Sequence, residues 1–144
     1  VQGLRVGRLG VFDFPPGVYA YLGSAFGGGG VRKRTGRHLT RRSRERWNID
    51  WLKPRCVPVE VWWTHDRRKV EFGWAGVLAA LPGASAPARR FGGNDNPAAA
   101  AHLLRFDRVP SLARFARLVA AAMPGHFPVH RKLVENWAGA GWPD

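Results

Sequence analysis

Cysteine, acidic residues and long apolar runs are all scarce in this sequence. Its 144 residues include one cysteine, Cys56, which excludes an internal disulfide framework and a cysteine-rich zinc site. No apolar run approaches the roughly 20 residues that a membrane-spanning helix needs, and no secretory signal begins the chain. These absences predict a cytoplasmic (intracellular) protein without a membrane partner.

The shortage of acidic residues leaves a large positive charge. There are 23 Lys and Arg against 10 Asp and Glu, which gives a formal net charge of +13. A field of this sign favours polyanions, so we expect nucleic acid as the partner, DNA first and RNA as the alternative. The hydrophobic fraction of 45% is enough to form the core of one domain and excludes wholesale disorder.

The hydrophobic pattern predicts an α/β (α+β) fold, with a small, largely antiparallel sheet of three to four strands flanked by helices. Strands are predicted over residues 18–23 and 57–64, and residues 1–14 are predicted to form a strand or two with a bend. Helices are predicted over residues 31–46, 67–81, 97–106, 111–123 and 130–137. Residues 1–106 are expected to form the main domain, and residues 107–144 a C-terminal helical extension that packs on it.

The segment over residues 31–46 is the most distinctive one, because it has eight Lys or Arg and one acidic residue. Like charges one turn apart destabilise a helix, so phosphate binding explains this segment better than a merely solvated face does. The candidate phosphate contacts are Arg32, Lys33, Arg37, Arg41 and Arg42. Backbone N–H groups of Gly28, Gly29 and Gly30, at the predicted helix start, offer an anion seat, although a flexible loop has the same composition.

One part of the chain resembles the second half of the GIY-YIG nuclease signature. It consists of a strand that ends in Tyr-Leu-Gly (residues 21–23), a glycine loop, and a helix that has an arginine in its second turn. The closest resemblance is to a small subfamily of GIY-YIG-like proteins, some of which are attached to endonuclease III. The matches follow one another along the chain: YLGSA, GGVRKRTGRHL, RWNIDWL, VEVWW, VEFGWAGVL, FGGNDN and HLLRF.

This resemblance implies an endonuclease that hydrolyses phosphodiester bonds with one divalent metal, Mg²⁺ or Mn²⁺. Tyr21 corresponds to the tyrosine of the signature, Arg34 to the catalytic arginine and Glu71 to the metal-binding glutamate. His38 occupies a position that is often His or Tyr in relatives. A tyrosine would take the proton from the attacking water, with nearby arginines favouring its phenolate form.

Helical spacing gives an expectation of its own for the same residues. Glu71 lies at the edge of the apolar stripe of its predicted helix, and Arg34 borders the apolar face of the basic helix. We therefore expect Tyr21, Arg34 and Glu71 to border one cleft. The alternative is a boundary salt bridge between Arg34 and Glu71.

The first half of the GIY-YIG signature has no counterpart at the right spacing. Residues 17–19 (Gly-Val-Tyr) are similar, but Tyr19 lies on the same strand as Tyr21 and remains a second candidate tyrosine. The resemblance thus implies that the first strand lies upstream of Val1 and that the 144-residue form cleaves poorly. A non-catalytic nucleic-acid-binding module that keeps the fold is the alternative function.

Several polar positions also depart from the relatives. Asn48, Asn96 and Ala98 stand where His or Cys is common, which argues against a Cys/His metal site. Asp95 and His102 remain possible site residues, with a turn role and a capping or packing role as the respective alternatives.

Overall fold

The computed structural model describes residues 1–26, 29–39, 44–91 and 101–134, and within them the fold is mixed α+β. The strands are β1 (Leu4–Val6), β2 (Gly10–Phe12), β3 (Val18–Tyr21), β4 (Glu60–Thr64), β5 (Leu103–Phe106) and β6 (Val129–Leu133). The helices are α1 (Gly30–Leu39), α2 (Ile49–Leu52), α3 (Glu71–Ala80) and α4 (Leu112–Ala122), with a 3-10 turn over Lys53–Arg55.

The strands pair antiparallel as β1–β2, β3–β5 and β4–β6. The mixed class and the antiparallel pairing confirm the prediction. The single sheet of three to four strands is wrong for the described residues, which form three separate pairs. Alternation along a strand identifies its two faces but not its partner, and two of these pairs join segments far apart in the chain.

Strand β5 separates two hydrophobic clusters, because its successive side chains point to opposite faces. Leu104 packs in a cluster with Leu78 of α3 and Phe115 of α4. Leu103 packs in a second cluster with residues such as Phe91. Strand β3 alternates in the same way, and both of its tyrosines pack against the second cluster. Tyr19 and Tyr21 therefore lie on the face of β3 that is directed toward the second cluster.

The segments 97–106 and 130–137, which were predicted to be helical, form strands where the structure describes them, and residues 97–100 and 135–137 lie outside the described residues. Residues 103–106 form β5, which pairs with β3, and residues 129–133 form β6, which pairs with β4. In β5 three of the four side chains are buried, because both faces meet a core cluster. In β6 the ladder with β4 decides the conformation of a mostly polar segment. The C-terminal segment that was predicted as helical therefore also supplies a strand.

The other predicted elements exist but are shorter. The basic helix ends at Leu39, and residues 44–46 are not helical. There the backbone N–H groups of Arg46 and Trp47 each donate to Asp50 Oδ2 at 2.8 Å, which imposes a turn. Helix α3 begins at Glu71 rather than near residue 67, because the Asp66 carboxylate accepts from the backbone N–H of Arg68. None of the helices within the described ranges is long and apolar enough to cross a membrane.

Candidate functional site

Tyr21, Arg34 and Glu71 line one cleft of about 1300 Å³. They come from the end of β3, from the middle of α1 and from the first residue of α3. The charges of both Arg34 and Glu71 act on the pKa of Tyr21, in opposite directions, so the two groups lie near its ring. Their placement in one cleft agrees with the prediction from helical spacing.

The guanidinium of Arg34 is held between an aromatic ring and a glycine. Its Cζ lies 4.0 Å from the centroid of the Trp47 ring. A Cβ on Gly23 would lie only 3.1 Å from Arg34 Nη2, so this glycine allows the guanidinium to approach the backbone at the end of β3. Stacking on tryptophan fixes the orientation of the planar guanidinium. The ammonium group of a lysine is not planar and cannot be oriented in this way.

Tyr21 is a neutral phenol at physiological pH. Burial is the main cause that raises its pKa to about 12, the Glu71 charge adds to the rise, and the Arg34 charge opposes it. The expectation that nearby arginines favour the phenolate is therefore wrong at Tyr21, because desolvation of the anion outweighs their attraction.

His38 lies beside Tyr21 in the same cleft, with ring centroids 5.3 Å apart in a T-shaped arrangement. Burial, followed by the charges of Arg34 and Arg37, lowers the pKa of His38 to about 4. Its Nδ1 and Nε2 atoms are buried and have no hydrogen-bond partner. The structure thus places a neutral imidazole, able to accept a proton, next to the tyrosine.

We expect the His38 ring protons to titrate by NMR with a midpoint near pH 4. An unfolded histidine titrates near pH 6.5, so the unfolded chain binds more protons between these values and the folded state loses stability as pH falls from about 6.5 to 4. His38→Phe should remove this part of the pH dependence of the free energy of unfolding. A His38 midpoint above pH 6 would contradict the conclusion that burial and the neighbouring arginines lower the pKa of this histidine.

Glu71 contacts a buried histidine rather than the arginine considered from the sequence. Its Oε1 lies 3.2 Å from His102 Nδ1. The His102 side chain is 2% exposed and that of Glu71 23%. The Arg34–Glu71 ion pair is not formed among the described residues, so both charged groups remain at the cleft.

Buried polar atoms without a partner concentrate at this site. Within the described residues there are four such side-chain atoms: Arg34 Nε, His38 Nδ1, His38 Nε2 and His102 Nε2. All belong to the side chains that surround Tyr21 and Glu71. An unpaired buried polar group costs on the order of 1–3 kcal/mol, so their concentration in one place is typical of a site organised for a ligand rather than for stability.

Tyr19, the second candidate tyrosine, also lines the cleft. Its hydroxyl donates a hydrogen bond to the Pro15 carbonyl at 2.5 Å, and its ring packs edge-on against Phe14. Burial raises its pKa as well. These contacts give Tyr19 a structural role that the sequence did not reveal.

The predicted phosphate contacts divide into two groups. Arg32 and Lys33 are exposed on α1 and lie outside the cleft lining, and Gly29 and Gly30 precede and begin the helix with positive φ angles. Gly28, Arg41, Arg42 and the possible site residue Asp95 lie outside the described residues.

Arg37 belongs to a buried ion cluster instead. It donates to Asp50 Oδ1 at 3.1 Å and to Asp50 Oδ2 at 2.8 Å. The phosphate contact predicted at Arg37 stays a prediction, and it would have to compete with the pair that Arg37 forms with Asp50.

Asp50 and Trp47 are the residues that sequence reasoning missed. Burial raises the pKa of Asp50, but hydrogen bonds from Arg37, Lys53 and two backbone N–H groups outweigh it and hold the pKa well below its usual range. The Trp47 ring lies 4.0 Å from the Cζ atoms of both Arg34 and Arg37. The first acid after the basic segment 31–46, at position 50, was the available signal.

A comparison with models of protein families identifies the family of this chain. It matches the model described as domain of unknown function DUF123 over residues 2–123, a range that contains β1 to α4. The chain belongs to the DUF123 family. No curated protein and no solved structure matches it.

The carboxylates that line the cleft are those of Glu60, Asp66 and Glu71. Among the described residues, no three His, Cys, Asp or Glu side chains are grouped as metal ligands. Mg²⁺ retains several water ligands and is commonly bound through one or two carboxylates together with substrate phosphates. Glu71, with one oxygen 3.2 Å from His102 Nδ1, is a carboxylate of this cleft that fits such an ion.

Proposed function

We propose that this DUF123 chain is a GIY-YIG-like endonuclease, which binds nucleic acid and hydrolyses phosphodiester bonds with Mg²⁺ or Mn²⁺. The observation that carries the proposal is that Tyr21, Arg34 and Glu71, from three separate elements, line one cleft and that the charges of Arg34 and Glu71 both act on Tyr21. The resemblance to the nuclease signature and the net charge of +13 support it independently.

Two charged side chains would act on the phosphate. The planar guanidinium of Arg34, fixed on Trp47, can donate to phosphate oxygens and stabilise the negative charge that develops on them. Glu71 would hold the divalent cation, which when bound supplies Lewis-acid stabilisation of the phosphate and the leaving oxygen. Because both groups line the cleft, a phosphate placed between them would meet positive charge from both sides.

The proton of the attacking water needs an acceptor that is unprotonated at neutral pH. His38, with its pKa near 4, meets this requirement, whereas Tyr21, with its pKa near 12, would be protonated. We assign His38 the role of proton acceptor and Tyr21 that of a hydrogen-bond donor that orients the water or the phosphate. A histidine of such low pKa is a weak base, so this step would be slow.

The alternative is a module that binds nucleic acid and does not cleave it. The specific observation in its favour is that the signature tyrosine is a buried phenol rather than an activated base. Exposed Arg32 and Lys33 would serve this function as well as they serve an endonuclease.

A nicking assay on supercoiled DNA distinguishes the two functions. With Mg²⁺ or Mn²⁺ the protein should convert supercoiled plasmid to the open circle, and EDTA should stop the reaction. Arg34→Lys protein purified in parallel controls for a contaminating nuclease, since contaminants would accompany both preparations. Binding without metal-dependent nicking would favour the module.

Nucleic-acid binding should be strong at low salt and weak in sequence preference, because arginine and lysine side chains on α1 contact phosphates. Affinity measured from about 50 to 200 mM salt should fall steeply, and the double variant Arg32→Ala, Lys33→Ala should flatten the slope by about two phosphate contacts. The matched control is Arg114→Ala, Arg117→Ala, which removes two exposed cations of α4 outside the cleft lining. Absence of binding to any DNA or RNA would contradict both functions.

A further inference from the structure

His102 is fixed in position by its own backbone and by its neighbours. Its N–H donates to the Phe91 carbonyl at 3.0 Å, and its carbonyl accepts from the N–H of Leu22 at 2.9 Å. Its ring packs edge-on against Phe72, with centroids 5.2 Å apart. Leu22 directly follows Tyr21, so the backbone of His102 is bonded to the end of β3 beside the candidate tyrosine.

The side chain of His102 meets the first residue of α3. Nδ1 lies 3.2 Å from Glu71 Oε1, which is within ion-pair distance. A proton on Nδ1 would be donated to the carboxylate at this distance. Such a bond restricts the rotamers of Glu71 and leaves Oε2 for another ligand.

Simple packing does not explain this ring fully. A histidine used only to fill space would be replaced by an apolar residue at little cost, yet His102 brings a buried Nε2 without a partner into the core. This atom costs free energy that an apolar side chain would avoid, and the polar contact that the ring does make is through Nδ1. That contact ends on the carboxylate to which the proposed function assigns the metal.

We propose that His102 is a positioning residue that holds the Glu71 carboxylate in place for a divalent cation. The inference rests on the proposed function, in which Glu71 binds the metal. Residues that hydrogen-bond a metal ligand typically change metal affinity by 10–100-fold when they are replaced. His102 also ties Glu71 to the strand that carries Tyr21, so it sets the relative position of the two groups.

Metal binding can be measured without any substrate. Mn²⁺ is titrated into the full ¹⁵N-labelled chain, and the paramagnetic broadening of amide signals around residue 71 gives a site-resolved affinity. We expect Glu71→Gln to abolish the broadening and His102→Leu, which keeps bulk but cannot donate, to weaken Mn²⁺ binding about 10–100-fold. His102→Asn places an amide N–H₂ near the position of Nδ1 and should restore most of the affinity.

Controls separate this inference from the proposed function. His130→Leu removes an exposed histidine that does not line the cleft and should leave Mn²⁺ binding unchanged. Circular dichroism and urea unfolding establish that each variant is folded at the temperature used. If wild type shows no broadening near residue 71, or Glu71→Gln retains it, the metal role of Glu71 and the inference both fail. If Glu71→Gln loses the broadening but His102→Leu retains wild-type Mn²⁺ affinity, the positioning role of His102 fails and the proposed function stands. The same conclusion follows if His102→Leu and His102→Asn lose affinity equally.

Discussion

Replacing Arg34 by lysine should lower the rate of metal-dependent cleavage by about 10²–10³-fold, the range found when one preorganised donor to a developing anion is removed. Lysine keeps the charge but loses the plane that stacks 4.0 Å from the Trp47 centroid and the paired donors that match a phosphate. Affinity for nucleic acid should change little, because the net charge is unchanged. Single-turnover cleavage and a binding titration, done on the same preparations, measure the two effects.

The matched control for this variant is Arg114→Lys on α4, which is exposed and outside the cleft lining. It should cleave at the wild-type rate. Cleavage by Arg34→Lys at the wild-type rate would show that a point charge is sufficient and that the stacking on Trp47 has no catalytic consequence. An equal loss of affinity and rate would instead assign Arg34 to ground-state binding.

Asp50→Ala should lower the free energy of unfolding at pH 7 by about 3–5 kcal/mol, because it leaves buried cations without their counter-charge. The Asp50 side chain is fully buried and accepts two bonds from Arg37, while Lys53 Nζ lies 3.3 Å from its Oδ1. Two backbone N–H groups would also lose their acceptor. Urea unfolding followed by circular dichroism measures the loss.

The pH dependence of this loss has a definite sign. The pKa of Asp50 is depressed in the folded state, so its contribution is fully present above the unfolded value of about 3.9 and is lost as pH falls below it. The difference between wild type and Asp50→Ala should be constant from pH 8 to pH 5 and shrink below about pH 4. Asp107→Asn is the control, since its exposed carboxylate pairs with Arg105 at the surface and should be worth at most about 1 kcal/mol. A loss from Asp50→Ala as small as that of the control would refute the role of the buried cluster.

The sequence predicts local features of this protein well where one segment determines them. Helix α4 forms where its apolar stripe indicated, with Ser111 Oγ as the N-terminal cap. Strand β3 and the glycines before α1 are also where the sequence placed them. In each case the residues that determine the element, whether by periodicity, cap or turn, lie within it or directly beside it in the sequence.

Long-range pairing is where the sequence was insufficient. Residues 103–106 have an apolar pattern that suits a buried helix or a buried strand, and the partner strand β3 lies more than eighty residues earlier. Arg37 could not be separated from its basic neighbours, because the acid that pairs with it lies thirteen positions away across a turn. The pKa of Tyr21 likewise depends on its burial between distant segments, which charge counting does not measure.

The pairing of β3 with β5 has a consequence for how the protein is made. Tyr21 is opposite Leu103, 82 positions later in the chain. At a synthesis rate of about 5–20 residues per second, β3 remains without its partner for roughly 4–16 s while the basic helix that follows it has already emerged. During this interval the nascent chain presents its cationic segment without a completed cleft, so under the proposed function the binding of polyanions would begin during translation, before the site that does the chemistry is assembled.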